Sequence, residues 1–230
     1  MRNFVSPLSA EVLGDLDRLT RPAGEVGTVA YREAMARLGQ GFVKAYADRL
    51  RSIGRLLLVC TNEDADFLAR GVLDGLNLAA IKTHVACFWN DREVFAGNRS
   101  AVTVDMAPIV RRYVEPGEVD AMLVVKSIIS SACVVRTNIS ELIYDYQPSR
   151  VIVFAPVVLK GAEGRVAEEF DEHIQQRFEF FWFAEDDEKD GDNVRPGIGG
   201  QVYERLGIGT RQEKNDYVPA LVKERRLLAQ

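Results

Sequence analysis

Apolar residues recur at three- and four-residue intervals through Val29–Arg51, where Tyr31, Met35, Leu38, Phe42, Val43, Tyr46 and Leu50 share one stripe. That period predicts a helix that buries one face. A shorter helix is predicted over Ser9–Asp17, set apart by the breakers in Leu19-Thr20-Arg21-Pro22-Ala23-Gly24. The pattern then changes. Arg55–Cys60 is a continuous apolar run ending in Thr61-Asn62-Glu63-Asp64, as expected of a buried strand entering a helix-capping loop, and a helix follows over Asp66–Leu76. Ala80–Trp89 is a second strand. Asn90–Ser100 is polar and reads as a mobile loop or the turn of a long hairpin, and Val104–Tyr113 opens with another strand. Beyond the turn Glu115-Pro116-Gly117-Glu118, strands at Ala121–Val125, Val151–Val158 and Phe178–Ala184 alternate with helices at Ala132–Tyr144 and Glu163–Phe170. Strands alternating with helices predict an α/β fold with a mostly parallel central sheet flanked by helices. The tail reads as an acidic loop over Glu185–Asp192, a Gly/Pro-rich segment over Arg195–Gly200 and a terminal helix over Tyr217–Leu228. No repeat or linker divides the chain, so residues 1–230 are expected to form a single domain.

Composition narrows the classes of function. With 47% hydrophobic and 27% charged residues, 230 residues suffice for a substantial core. A net charge of −5 and a pI of about 5.3 argue against general nucleic-acid binding, which rests on Lys and Arg neutralising phosphates. Cys60, Cys87 and Cys133 are far apart and mostly flanked by apolar residues, as reduced core thiols are. His84 and His173 have no cysteine or second histidine at ligand spacing, so no protein metal site is expected, and His84 reads as a core histidine. No apolar run approaches the roughly 18 residues of a membrane span. The N-terminal sequence lacks a signal pattern, and a cytoplasmic location is expected.

The segment Ala121–Val135, AMLVVKSIISSACVV, carries the most chemistry. An apolar strand runs into a loop of small residues and then a helix, and backbone N–H groups at such a helix start point at an anion. Ser130, Ser131, Ala132 and Cys133 are small enough to let a phosphate approach, and the serines add hydroxyl donors. For Ser130 and Ser131 the alternative is simple N-capping of the helix. Lys126, at the strand end, reads equally as a phosphate contact or as the partner of an acid such as Glu63 or Asp64. The acids Glu63, Asp64 and Asp66 suit a helix N-terminus without any ligand.

Four segments, in order, resemble the uracil phosphoribosyltransferases of the type I phosphoribosyltransferase fold. Leu19-Thr20-Arg21 with Tyr31-Arg32-Glu33 is similar to the family's N-terminal helical motif, and Arg92-Glu93 after Asp91 to its "R-D-E" loop. Val124–Cys133 lies where the family has "L-L-D-P-M-L-A-T-G-G", and Arg195-Pro196-Gly197-Ile198-Gly199-Gly200 resembles "V-P-G-L-G-D", with Arg205 to Gly209 near the closing "D-R-L-F-G-T". The resemblance implies an N-terminal helical segment and a small base-binding hood. It assigns Lys126, Ser127, Ser130, Ser131, Ala132, Cys133 and Val134 to a 5′-phosphate, Val194, Gly199 and Gly200 to a base, and Arg92 to a loop that closes over pyrophosphate. It further implies a nucleotide or phosphoribosyl pyrophosphate as ligand, Mg²⁺ where the pyrophosphate is bound, and a homodimer or higher homo-oligomer. Three positions depart from the pattern. Lys126 replaces a carboxylate, Thr61-Asn62-Glu63-Asp64 replaces an "R-A-G" element, and Gly200 replaces an Asp. A cation at Lys126 cannot accept a ribose O–H and opposes positive charge at the anomeric carbon. The expectation is a divergent relative without normal transfer activity, serving as a nucleotide-binding regulatory or assembly module. The alternative is an active enzyme making UMP from uracil and phosphoribosyl pyrophosphate.

Overall fold

The apolar runs pair into one eight-stranded sheet, with two small hairpins beside it. The structure, a computed structural model, describes residues 1–230 apart from 6, 92, 97–102, 192, 229 and 230, and only the backbone of 93–96 and 103–105. In chain order the strands begin with β1 (Arg2–Phe4), β2 (Arg55–Thr61), β3 (Lys82–Asn90), β4 (Glu93–Ala96), β5 (Thr103–Met106) and β6 (Ile109–Val114). They continue with β7 (Ala121–Val125), β8 (Ile128–Ile129), β9 (Arg150–Leu159), β10 (Phe178–Asp186), β11 (Glu188–Asp190) and β12 (Asn193–Arg195). The sheet order is β1-β10-β9-β7-β2-β3-β6, with β8 beside β9. Its interior pairs are parallel, as the strand–helix alternation predicts, while β1 and β6 close the two edges antiparallel.

Alternation along the strands splits the core in two. Leu56, Leu58, Cys60, Val85, Cys87, Leu123 and Val125 face one layer. That layer holds α1 (Ala10–Thr20), α2 (Thr28–Ala45), α3 (Ala47–Leu50) and, beyond α4 (Asn62–Asp64), α5 (Arg70–Leu78). Leu57, Val59, Ala86, Phe88, Met122 and Val124 face α6 (Cys133–Tyr146), α7 (Ala162–Ala167) and α8 (Glu172–Gln175). The chain ends in α9 (Val202–Arg205), α10 (Arg211–Asp216) and α11 (Ala220–Leu228), the last returning Leu221 and Val222 to the first layer. Helices α2 and α5 touch backbone to backbone: a Cβ on Gly39 would lie 2.7 Å from Val72 N, and one on Gly71 would lie 2.0 Å from Ala36 O.

Several local expectations change. The helix expected from Val29 to Arg51 breaks at Tyr46, and the one expected over Asp66–Leu76 begins as a π-helix at Ala65–Ala69. Of the two readings of Asn90–Ser100, the described part follows the long-hairpin one, with Glu93–Ala96 of β4 paired antiparallel to Thr103–Met106 of β5. The acidic stretch expected as a loop is mostly strand where it is described: Glu185 and Asp186 complete β10, with Asp186 buried against Arg2, and Glu188–Asp190 forms β11, paired with β12. Strand β1 has too few residues to show a period, and the terminal helix starts at Ala220 because Pro219 precedes it.

From β2 the chain passes to β3 on one side, then crosses back to place β7 on the other side of β2. Such a reversal leaves a crevice outside the carboxyl ends of the two strands. Those ends carry Thr61–Asp64 and Lys126–Ser127.

Candidate functional site

A cavity of about 160 Å³ occupies that crevice, with room for on the order of ten waters. Its floor is built from the ends of β2 and β7. Lys126 Nζ donates to Asp64 Oδ2 at 2.7 Å and to Glu63 Oε1 at 3.2 Å. Asp64 Oδ2 also accepts from Thr61 Oγ1 at 2.9 Å and from the Ser127 amide at 3.3 Å. Of the two readings of Lys126, the structure shows the acid-paired one. All three charged side chains are at least nine-tenths buried. Burial alone would lower the Lys126 pKa, yet Asp64 and Glu63 outweigh it and hold the ammonium above its ordinary value. Burial likewise pushes Glu63 upward, but Lys126 and Lys214 bring it below its ordinary value. Both groups are ionised near neutrality. Asp66 does not join them. Its carboxylate accepts from the amides of Ala220 and Leu221, each at 2.8 Å, and from the Tyr217 hydroxyl, so it anchors α11.

One wall is the loop from Ile128 to Val135. Ala132 sits at φ +61° as the N-cap of α6, and no side chain caps the helix. The capping alternative for Ser130 and Ser131 is therefore not what the structure shows. Ser131 O instead accepts from the Cys133 amide at 2.7 Å, and Ser130 O accepts from Arg165 at 3.1 Å. Ser130, Ser131, Ala132 and Val134 line the cavity with Lys126. Ser127 and Cys133 are buried beside it and do not line it. The first-turn amides of a helix lack intrahelical partners, which leaves those of Val134 and Val135 at the cavity wall.

The facing wall is the hood, with Val194, Ile198, Gly200, Gln201 and Tyr203 on the cavity. It is tied to the N-terminal part of the chain. Arg2 holds Asp186 through two bonds of 2.8 and 2.7 Å and reaches Gly197 O at 2.6 Å, while Asp186 accepts from the Gly197 amide at 2.8 Å. The Tyr31 hydroxyl donates to Ile198 O at 2.9 Å, and Arg205 donates to Arg21 O at 2.7 Å while lying over the Tyr31 ring. Gly199, expected at a base, is turned onto this contact: at φ +76° its Cβ position lies 2.3 Å from Leu19 O. The two segments assigned by resemblance to phosphate and base thus meet across one cavity. Arg92 lies outside the described residues.

Sequence reasoning missed Asn90 and Lys214. Lys214 is buried on the cavity, donates to Asn90 O, and has its pKa lowered by burial against the pull of Glu63. Asn62 Nδ2 donates to Lys214 O at 2.5 Å, fixing α10 over the floor. The signal for α10 was in the chain, since Thr210 and Glu213 form a capping box. Nothing in sequence marks the burial of Lys214. Among the described residues no three His, Cys, Asp or Glu side chains are placed to hold a metal ion. An ammonium bonded to both Glu63 and Asp64 opposes a dication there. Among the described residues no helix is long and apolar enough to cross a membrane.

No protein-family model matches the sequence, and no curated protein matches it. Solved structures do. The AQ2163 protein from Aquifex aeolicus superposes with a TM-score of 0.61 over 88% of this chain and 96% of its own, at 13% identity. An adenine phosphoribosyl transferase from Trypanosoma brucei, in complex with AMP, pyrophosphate and ribose-5-phosphate, gives 0.44 over 70% of this chain and 69% of its own, at 14% identity. Another adenine phosphoribosyltransferase gives 0.38 over 63% of this chain and 79% of its own, also at 14% identity. At such identities the AQ2163 likeness establishes a shared fold and nothing of chemistry.

Proposed function

We propose that this chain is a phosphoribosyltransferase-like protein that binds a nucleotide or phosphoribosyl pyrophosphate as a regulatory or assembly module, without normal base transfer. The observation that carries the reading is the Lys126–Glu63–Asp64 cluster beneath the loop that opens α6. The amide end of a 14-residue helix and two small serines suit a phosphate. Transfer at an anomeric carbon requires negative potential at the developing cation, and here the strand-end position holds an ammonium. Binding is supported while the chemistry is opposed.

Ser130, Ser131, Ala132 and the amide of Val134 would receive the 5′-phosphate. The main chain of Val194 and Gly200 would face the base, with uracil the base suggested by the sequence resemblance. The chain's own residues do not fit a bound Mg²⁺, so any Mg²⁺ would arrive with a pyrophosphate ligand. A homo-oligomer and a cytoplasmic location belong to the same reading. The oligomer is supported by Phe178–Trp182, a half-exposed stretch of β10 with no strand on its outer side among the described residues.

The test is incubation with uracil, phosphoribosyl pyrophosphate and Mg²⁺, assayed for UMP and pyrophosphate, beside calorimetry with UMP and phosphoribosyl pyrophosphate. Binding without turnover is expected. Multiple turnover would overturn the loss of transfer, and binding of neither compound would overturn the nucleotide reading. Light scattering tests the oligomer.

A further inference from the structure

Strand β6 closes the main sheet at the end opposite β1, and no strand lies on its outer side among the described residues. An open strand edge is a template for a further strand. Val110 is 57% exposed there, and Arg111 and Arg112 are exposed beside it. Register with β3 sets Arg111 opposite Trp89 and Tyr113 opposite Cys87, so both lie on the face covered by α11. The Arg111 guanidinium lies 5.4 Å from the centre of the Trp89 ring, and that of Arg226 in α11 lies 5.5 Å from the centre of the Tyr113 ring. Two cations are thus shelved on aromatic rings along one edge.

The neighbouring acid is already engaged. Glu115 accepts from the Val85 amide at 2.9 Å and the Tyr113 hydroxyl at 3.0 Å, and lies 3.7 Å from Arg225. On the other face of the sheet, Arg112 pairs with Glu141. Among the described residues neither Arg111 nor Arg226 forms an ion pair with a carboxylate.

Charge decides what can add here. A second copy of β6 laid alongside would set arginine against arginine. A nucleic acid cannot continue the hydrogen-bond ladder of a strand, and the net charge of −5 opposes it. An extended acidic peptide meets both demands. Its main chain continues the ladder, and its alternate side chains fall on one face at the spacing of Arg111 and Tyr113.

We propose that β6 takes an extended acidic segment of a partner protein as an added strand, with two carboxylates, one residue between them, meeting Arg111 and Arg226. The surface is separate from the cavity, and the proposal does not depend on the nucleotide reading.

The probe is a blocked synthetic peptide of alternating glutamate and threonine, titrated into the full chain and followed by fluorescence anisotropy. Binding is expected, weakening with added salt. Arg111→Gln and Arg226→Gln should each lose about threefold and the double variant about tenfold, the scale of exposed ion pairs. A peptide with glutamine in place of glutamate should also lose about tenfold, and it tests the wild type where an arginine variant fails to fold. Methylating the N–H groups along one edge of the peptide should abolish binding, and along the other should leave it, because only one edge faces β6. No binding, or binding that neither the arginine variants nor the glutamine peptide weakens, overturns the proposal. Equal effects of methylating either edge overturn it as well. A single-stranded oligonucleotide that binds more tightly than the peptide, and loses affinity in the same variants, overturns it in favour of a nucleic-acid surface.

Discussion

Lys126 stands at the strand end where the resemblance placed a carboxylate, and its removal tests what the cluster does. Lys126→Met would leave Glu63 and Asp64 buried without their cation, a change that typically costs about 3–5 kcal/mol. Urea denaturation near pH 7 should show a loss of that order. The pH dependence follows from the directions of the shifts. Glu63 lies below its ordinary value of 4.5 in the folded state, so its contribution is present above that pH and is lost as pH falls through the folded value. Lys126 lies above its ordinary value of 10.5, so its contribution is full below 10.5 and fades as pH rises through the folded value. The gap between wild type and Lys126→Met should therefore be flat between these limits and narrow in acid, where the carboxylates protonate. A gap that widens below pH 4.5 would refute the pairing. Lys126 also marks how far the sequence could be read. Its identity and place were visible, but which way its side chain turns depends on Thr61–Asp64, some 60 residues earlier in the chain. An ammonium suits a phosphate and an acid alike, and only the fold decides.

At the level of elements, the central sheet and its flanking helices were legible because buried parallel strands are continuous apolar runs and surface helices carry stripes. What was not legible depended on distant partners. Acidic residues after Ala184 read as loop, yet Asp186 ends a strand because Arg2 neutralises it. The cover of the site depended on a similar long-range contact. Asp66 accepts from Tyr217, Ala220 and Leu221, so Asp66→Ala should unfasten α11 and, through it, α10 with Lys214. A loss of about 1–2 kcal/mol is expected, on the scale of a lost helix cap. Hydrogen exchange should quicken over residues 211–228 more than in β2 and β7, and uniform quickening would contradict the assignment. Gly199→Ala acts on the opposite wall. A Cβ there meets Leu19 O and requires an unfavourable φ, so a loss above about 1 kcal/mol is expected, with faster proteolysis within residues 193–201. An unchanged digestion pattern would show that the hood is not held by this contact.

Across the whole molecule, the cavity is assembled from parts that the sequence keeps far apart. Arg2 and the N-terminal helices hold the hood, β2 and β7 supply the charged floor, α6 supplies the amide end, and α10 supplies Lys214. Ligand binding should therefore report on contacts that never touch the ligand. Arg2→Ala is the sharpest case, because Asp186 is fully buried and would keep the Gly197 amide but lose both bonds from Arg2. The cost should be about 3–5 kcal/mol, concentrated in the hood because Arg2 also releases Gly197 O. Arg2→Lys should recover only part of it, since a point charge cannot reproduce the two-pronged contact. Far-UV circular dichroism should stay near wild type, as the central strands make no use of Arg2, while affinity for UMP falls in step with the loosened hood. At 100 times its dissociation constant, UMP should stabilise the wild type by about 2.7 kcal/mol, and at the same concentration it should stabilise Arg2→Ala by less. Equal stabilisation of the two proteins would mean that the hood takes no part in holding the ligand, and would confine the site to the floor and the α6 loop.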